Sequence, residues 1–269
     1  MPFAGVRDQR FYYEVGGEGD LVILLHGALA NADLMEAPAT GLASGFRALR
    51  FDRRGCGRTT PPTEGPVPLP EEADDVLGIL DWFSVEKAHF LAHDEGAEVA
   101  LEFALRNPGR TGSIALLAPS LEGFSSSPEA AAAAADLRAA LRSDPPKALA
   151  EKLLASPIFD AAREREGIFE RIADIFNRFP QSPGRFERLP RAGAALVGRL
   201  GAVSARTFVL VGERDEEDRI RCARTIAAGI PGAELLVFPD TSRFLHVEES
   251  RAIMRRLTDF FLPEPEIEP

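Results

Sequence analysis

Short apolar runs alternate with stretches of helical period along most of this chain. Leu21-Val22-Ile23-Leu24-Leu25 is apolar throughout, as a strand covered on both faces requires. Residues 46–51 read as a second strand ending at Asp52, and 88–92 as a third, followed at once by a helix over 97–105. Further strands are expected at 113–117, 207–211 and 235–238, with an antiparallel N-terminal strand over 9–15. Pro70-Glu71-Glu72 opens a helix that runs to about Phe83, with proline in its first turn and acids at its positive end. The alternation predicts an α/β fold: a mostly parallel central sheet with helices on both faces.

Between Ser120 and about Gly201 the period changes and no strand is evident. An alanine run over 130–135 lies within one helix, and 147–154 and 168–176 are amphipathic at helical spacing. Pro145-Pro146 and Pro180 to Pro183 punctuate them. The organisation expected is a core domain of residues 1–120 and 201–269 carrying a helical cap, or lid, inserted at 121–200. Trp82 and Phe83 end a helix and are expected in the core. Phe159, Phe169, Phe176, Phe179 and Phe186 are candidates for lining an apolar pocket, with helix packing the simpler role. The proline-acidic tail, 263–269, is expected to fray.

Composition narrows the function. With 45% hydrophobic residues the 269-residue chain has enough apolar mass for a sizeable core. The 31 basic and 42 acidic residues leave a net charge of −11, which argues against nucleic acid or an anionic membrane as partner. Cys56 and Cys222 stand too far apart in sequence to suggest a disulfide framework or a zinc site. No basic-then-apolar leader opens the chain and no apolar run approaches about 18 residues. The expectation is a cytoplasmic protein, monomer or homodimer, with a small-molecule substrate or ligand and neither metal nor cofactor.

The strongest chemical signal is the strand–turn–helix Phe90-Leu91-Ala92-His93-Asp94-Glu95-Gly96-Ala97. A sharp turn there lifts one side chain above the sheet at the positive end of the helix. Ala92, Gly96 and Ala97 are small, as crowded backbones demand. Taken alone, Asp94 is equally well a carboxylate capping a helix. Three other segments recur around it: His26-Gly27-Ala28-Leu29 after the first strand, Asp52-Arg53-Arg54-Gly55-Cys56-Gly57-Arg58-Thr59 after the second, and Val209-Leu210-Val211-Gly212-Glu213-Arg214-Asp215.

In order and spacing these segments resemble the α/β-hydrolase superfamily over nearly the whole chain outside the insertion. The resemblance implies an α/β-hydrolase fold, Asp94 in the nucleophile slot, Asp215 as the acid, and His26, Gly27 and Ala28 in the oxyanion loop. His93-Asp94-x-Gly is similar to the branch holding haloalkane and fluoroacetate dehalogenases and epoxide hydrolases, which uses an aspartate nucleophile. In that branch a carboxylate attacks carbon to leave an ester, and a histidine then activates water to cleave it.

The chain departs from the branch twice. Glu95 follows the nucleophile slot, where a second carboxylate repels halide. After the last strand the chain reads Pro239-Asp240-Thr241-Ser242-Arg243-Phe244-Leu245-His246-Val247-Glu248, which sets Arg243 where the family carries its catalytic histidine. Arginine stays protonated at any physiological pH and cannot take a proton from water. The hypothesis that follows is an Asp94–Arg243–Asp215 ion network in place of a triad. His246 is expected to point aside, His93 to lie behind the elbow, His26 to belong to the loop, and His89 to be a core or face residue. Arg53, Arg54 and Arg58 are candidates for an anionic substrate, or simply a solvated turn. Two functions stay open: an enzyme with Asp94 as nucleophile or base, whether hydrolase, lyase or isomerase, or a degenerate homologue that binds a ligand.

Overall fold

The central strand Leu21–Leu25 has every residue buried. Its side chains alternate between the two faces of a sheet, Ile23 and Leu25 in one apolar cluster and Val22 and Leu24 in the other. The computed structural model describes residues 2–27, 30–61, 67–144, 146–178 and 195–262. In chain order the elements are β1 (Phe3–Val6), β2 (Gln9–Gly16), β3 (Leu21–Leu25), α1 (Glu36–Leu42), β4 (Arg47–Phe51), α2 (Leu69–Trp82), β5 (Ala88–His93), α3 (Gly96–Arg106) and β6 (Thr111–Leu117). They continue with α4 (Pro128–Ser143), α5 (Pro146–Leu154), α6 (Asp160–Arg163), α7 (Ile168–Arg178), β7 (Thr207–Gly212), α8 (Glu217–Gly229), β8 (Glu234–Phe238), α9 (Leu245–Glu248) and α10 (Ser250–Phe261).

The strands form one eight-stranded sheet in the order β1-β2-β4-β3-β5-β6-β7-β8. From β4 to β8 every pairing is parallel, while β2 joins β4, and β1 joins β2, antiparallel. Helices α2, α3 and α8 contribute their apolar faces to one side of the sheet, and α10 with Leu42 of α1 to the other. The predicted strands and helices therefore hold to within a residue or two. The added strand β1 is a four-residue edge, too short for its alternation to stand out.

Trp82 is not in the core: it is 51% exposed. It ends α2 at the sheet margin, where its ring covers Gly5 of β1 instead of entering the interior. Phe83 is half-buried, edge-on to Tyr13 at 5.0 Å.

Between β6 and β7 the described residues form only helices and short turns. Their apolar faces make a third cluster with the segments flanking the sheet's carboxyl end. Phe159 stacks on Phe244 at 5.0 Å and meets Phe169 and Phe176 edge-on. These rings serve helix packing, the simpler of their two expected roles; Phe179 and Phe186 lie outside the described residues, as do the tail 263–269 and Pro180 to Pro183. Fully burying one such ring stabilises by about 2–3 kcal/mol. Phe244 thus seats the helical insert on the loop that carries Arg243.

Candidate active site

At the carboxyl end of β5 the chain turns sharply into α3, and Asp94 makes the turn with φ 50°. For a residue other than glycine this left-handed conformation costs about 1–2 kcal/mol, least for Asp and Asn. Backbone bonds hold it: Asp94 N–H donates to Leu117 O at 3.0 Å, and Asp94 O accepts from Ala97 and Ser120 N–H at 3.1 Å each. The crowding expected of such a turn is present. A β-carbon on Gly96 would stand 2.6 Å from Leu25 O, and one on Gly27 would stand 2.7 Å from Asp94 Cβ.

The carboxylate of Asp94 is partnered by Arg219, whose Nη1 lies 2.9 Å from Oδ1. Both side chains are largely buried, 13% and 15% exposed. Arg219 sits in the first turn of α8, just after the strand end that delivers Asp215. The side chain of Asp215 is 2% exposed; its Oδ1 accepts from Glu216 N–H at 2.8 Å, and its Oδ2 has no partner. Burial raises its carboxyl above the ordinary value, against the opposing pull of Arg243 and Arg219.

Arg243 is turned inward as expected, but it does not bridge the two aspartates in the way the sequence suggested. Its Nε stands 3.8 Å from Asp215 Oδ1 and its Nη2 pairs with Glu216 at 2.5 Å. A guanidinium lies farther from its backbone than an imidazole does, and here it runs past Asp215 to the half-exposed Glu216. In place of the expected single network stand one pair, Asp94–Arg219, and one trio, Asp215–Arg243–Glu216. Arg219 carried no motif, and only the folding of α8 brings it to the elbow.

The loop bearing Arg243 is anchored on both flanks. Ser242 donates through its N–H (2.9 Å) and its hydroxyl to the buried Glu248. Arg165 of the insert reaches the same loop, pairing with Glu249 at 2.8 Å and donating to Asp240 O at 2.5 Å. Its neighbour Glu164 takes Arg214, one residue before Asp215, at 2.6 Å. A cleft of about 210 Å³ opens along this seam, between Pro157, Ile158, Asp160 and Ala161 of the insert and Arg214, Asp215, Glu216 and Ser242.

The four imidazoles are all built into the structure. His26 is fully buried; its Nδ1 donates to Gly27 O at 2.8 Å and its Nε2 accepts from Arg53 N–H at 3.0 Å. It braces the loop that holds Gly27; Ala28 and Leu29 lie outside the described residues. His89 accepts from Ser113 N–H on the neighbouring strand at 3.0 Å. His93 lies directly under the elbow, its ring 4.6 Å from that of His246 and its Nε2 3.1 Å from Arg243 O. Burial brings His93 down to about 4 and His246 well below the usual histidine value.

Glu95 is tied back by Arg53 at 3.2 Å. The arginine turn is neither a solvated surface nor an open anion site. Arg53 forks onto Glu72 at 2.8 and 3.0 Å. Arg54 forks onto Asp75 at 2.7 and 2.6 Å. Arg58 holds Asp52 and Asp33 at 2.7 and 2.8 Å. Each guanidinium is matched to carboxylates under the strand ends, where an unpaired charge would be costly. Among the described residues no group of three or more His, Cys, Asp or Glu is arranged to hold a metal ion, and no helix is long and apolar enough to cross a membrane.

Residues 20–250 match the alpha/beta hydrolase fold family. The putative carbamate hydrolase RutD of Variovorax paradoxus is 30% identical over 260 residues, covering 93% of this chain and 95% of that protein. A 2-hydroxy-6-oxononadienedioate/2-hydroxy-6-oxononatrienedioate hydrolase of Pseudomonas putida is 26% identical over 265 residues, covering 95% and 93%. Among solved structures, a hydrolase from Pseudomonas aeruginosa superposes with a TM-score of 0.84 at 26% identity, covering 97% of this chain and 98% of that one. With its sheet order, its strained turn after β5 and this likeness along nearly its full length, the chain belongs to the alpha/beta hydrolase fold family.

Proposed function

We propose that this chain is a hydrolase of a small organic molecule in which Asp94, rather than a serine, is the nucleophile. The observation that carries the reading is the placement of Asp94 itself. A strained aspartate at the top of the elbow, at the positive end of α3, has its Oδ1 on Arg219. Its Oδ2 lies toward Gly27. Strain of this kind persists where the surrounding structure enforces it, and it gathers at functional sites. Arg219 neutralises one edge of the carboxylate and fixes its rotamer, and the carboxylate so placed attacks an electrophilic carbon. The bond from that carbon to its leaving group breaks as the Asp94 ester forms, and water then cleaves the ester. Arg243, in the sequence position of the family's histidine, holds Asp215 and Glu216 in place of a proton-accepting imidazole.

The relatives named as carbamate and oxo-dienedioate hydrolases support a small organic substrate. The His-Asp-x-Gly turn supports epoxide or haloacid chemistry. The test therefore spans styrene oxide, bromoacetate, bromobutane, para-nitrophenyl acetate and simple carbamates in heavy-oxygen water, read by intact and peptide mass. A covalent adduct on Asp94, or heavy oxygen entering its carboxylate, supports the nucleophile. No mass change at Asp94 with any probe would refute it.

A second reading, a ligand-binding homologue without turnover, draws on the Asp94–Arg219 pair, because an ion-paired carboxylate is a weaker nucleophile. Retention of an unmodified probe without conversion would favour it.

A further inference from the structure

Loss of the family's histidine leaves open which group activates the water that cleaves an Asp94 ester, and three observations converge on His93. Its Nε2 faces the carbonyl oxygen of Arg243 at 3.1 Å, an acceptor only, so Nε2 carries the proton and Nδ1 the lone pair. Nδ1 is buried and has no hydrogen-bond partner. A β-carbon on Gly27 would stand 3.0 Å from His93 Nδ1 and 3.0 Å from Asp94 Oδ2, so lone pair and carboxylate both face the same side of Gly27 in close contact with it.

We propose that His93 is the general base for the hydrolytic half of the reaction, its tautomer fixed by the backbone carbonyl of the arginine that replaced the usual base. The proposal rests on the reading of Asp94 as nucleophile. In the step, water loses a proton to His93 Nδ1 while its oxygen bonds to Cγ of the Asp94 ester. The tetrahedral intermediate collapses, the bond from Cγ to the substrate's oxygen breaks, and the departing alkoxide takes the proton from the imidazolium. Asp94, released as the acid with one oxygen from water, returns its proton to solvent. The groups facing the imidazole are Asp94, which favours the transient cation, Arg219 and Arg243, which oppose it, and His246 at 4.6 Å. Burial keeps the resting imidazole neutral, so Nδ1 holds its lone pair, while opposing the imidazolium that the step forms.

The experiment compares the full chain with His93→Gln, whose amide N–H still serves the Arg243 carbonyl but offers no basic nitrogen. Both are treated with styrene oxide, bromoacetate and para-nitrophenyl acetate in heavy-oxygen water. The wild type is expected to take label into Asp94 without accumulating adduct. His93→Gln is expected to form adduct within about threefold of the wild-type rate and to break it down about 10²–10³-fold more slowly, the range of a lost general base. Added imidazole should restore breakdown in His93→Gly.

Label entering His93→Gln as fast as wild type would overturn the proposal and leave the nucleophile intact. A permanent adduct on the wild type would do the same. Neither adduct nor label in the wild type would remove the ester, and both readings with it. Should the variants fail to fold, the nitrogen-15 imidazole spectrum of the wild type decides: a proton found on Nδ1 of His93 would overturn the assignment, and a bare Nδ1 upholds it.

Discussion

Acid should unfold this protein through its buried imidazoles. His93 is 2% exposed and His246 has no exposed surface. Burial holds His93 at about 4, and it holds His246 lower still with the neighbouring His93 adding to the effect. In the unfolded chain both return to about 6.5. A depressed folded-state value means that the unfolded chain binds protons the native state refuses. The native state therefore keeps its full advantage above about pH 6.5 and loses it as the pH falls toward 4. At about 1.4 kcal/mol per pH unit, holding His93 at 4 withdraws about 3 kcal/mol over that window, a large part of a typical stability of about 5–15 kcal/mol. Asp8, drawn to about 2 by Arg54, gives up its share only below its unfolded value of 3.8 and so stays out of the window. Asp75 and Asp215, raised by burial, take up protons on the native side first and offset part of the loss at its lower end. Urea melts at half-unit steps between about pH 7.5 and 4.5, on wild type and His93→Gln, measure the term directly. Wild type should lose about 2–3 kcal/mol more than the variant across the window. Parallel curves would refute the reasoning, since they would mean that His93 titrates as a solvated histidine.

Further perturbations address the ion pairs. Arg219→Met leaves the carboxylate of Asp94 without the guanidinium 2.9 Å away, in a site where both side chains are about 85% buried. A loss of about 3 kcal/mol is expected, a fall in Tm of roughly 6–12 °C, and a double-mutant cycle with Asp94→Asn should recover most of it. Asp215→Asn removes a buried charge whose carboxyl is already raised, so Tm near pH 8 should hold or increase, the gain shrinking as the pH falls toward 4; a marked loss would show that the Arg243 pairing outweighs burial. Arg165→Ala unties the insert from Asp240 and Glu249, and hydrogen exchange over 238–249 should quicken by about tenfold or more with little change in the sheet. Trp82→Ser, at an exposed helix end, should shift stability by no more than about 0.5 kcal/mol.

Much of the fold was legible because its strands are buried on both faces and so stand out as unbroken apolar runs, Leu21 to Leu25 above all. The four-residue edge β1 has no such run, and Trp82 misleads because an indole at a helix end can lie across an edge strand as readily as in a core. The arginine turn misleads for a different reason. Arg53, Arg54 and Arg58 look like a solvated basic patch in one dimension, whereas their partners Glu72, Asp75 and Asp33 come from segments 19 to 25 residues away in the chain. Asp94 was legible through its small neighbours, since the turn imposes a steric signature on the sequence around it.

Arg219 had no such signature. A guanidinium on a helix is common, and what makes this one matter is the register of α8 against the end of β5, a property of packing rather than of local sequence. The same holds for His93. From sequence it is the residue before the elbow, facing the packed side of a turn. In the structure its hydrogen bond runs to the backbone of Arg243. A backbone carbonyl is present whatever side chain stands at that position, so the acceptor that orients His93 does not depend on the arginine. Arginine also brings a longer reach, which carries its charge past Asp215 to Glu216 and leaves Asp94 to Arg219. Aspartate at the elbow and arginine after β8 are thus held in separate ion-paired groups, and beside them the buried rings of His93 and His246 keep nitrogens without hydrogen-bond partners.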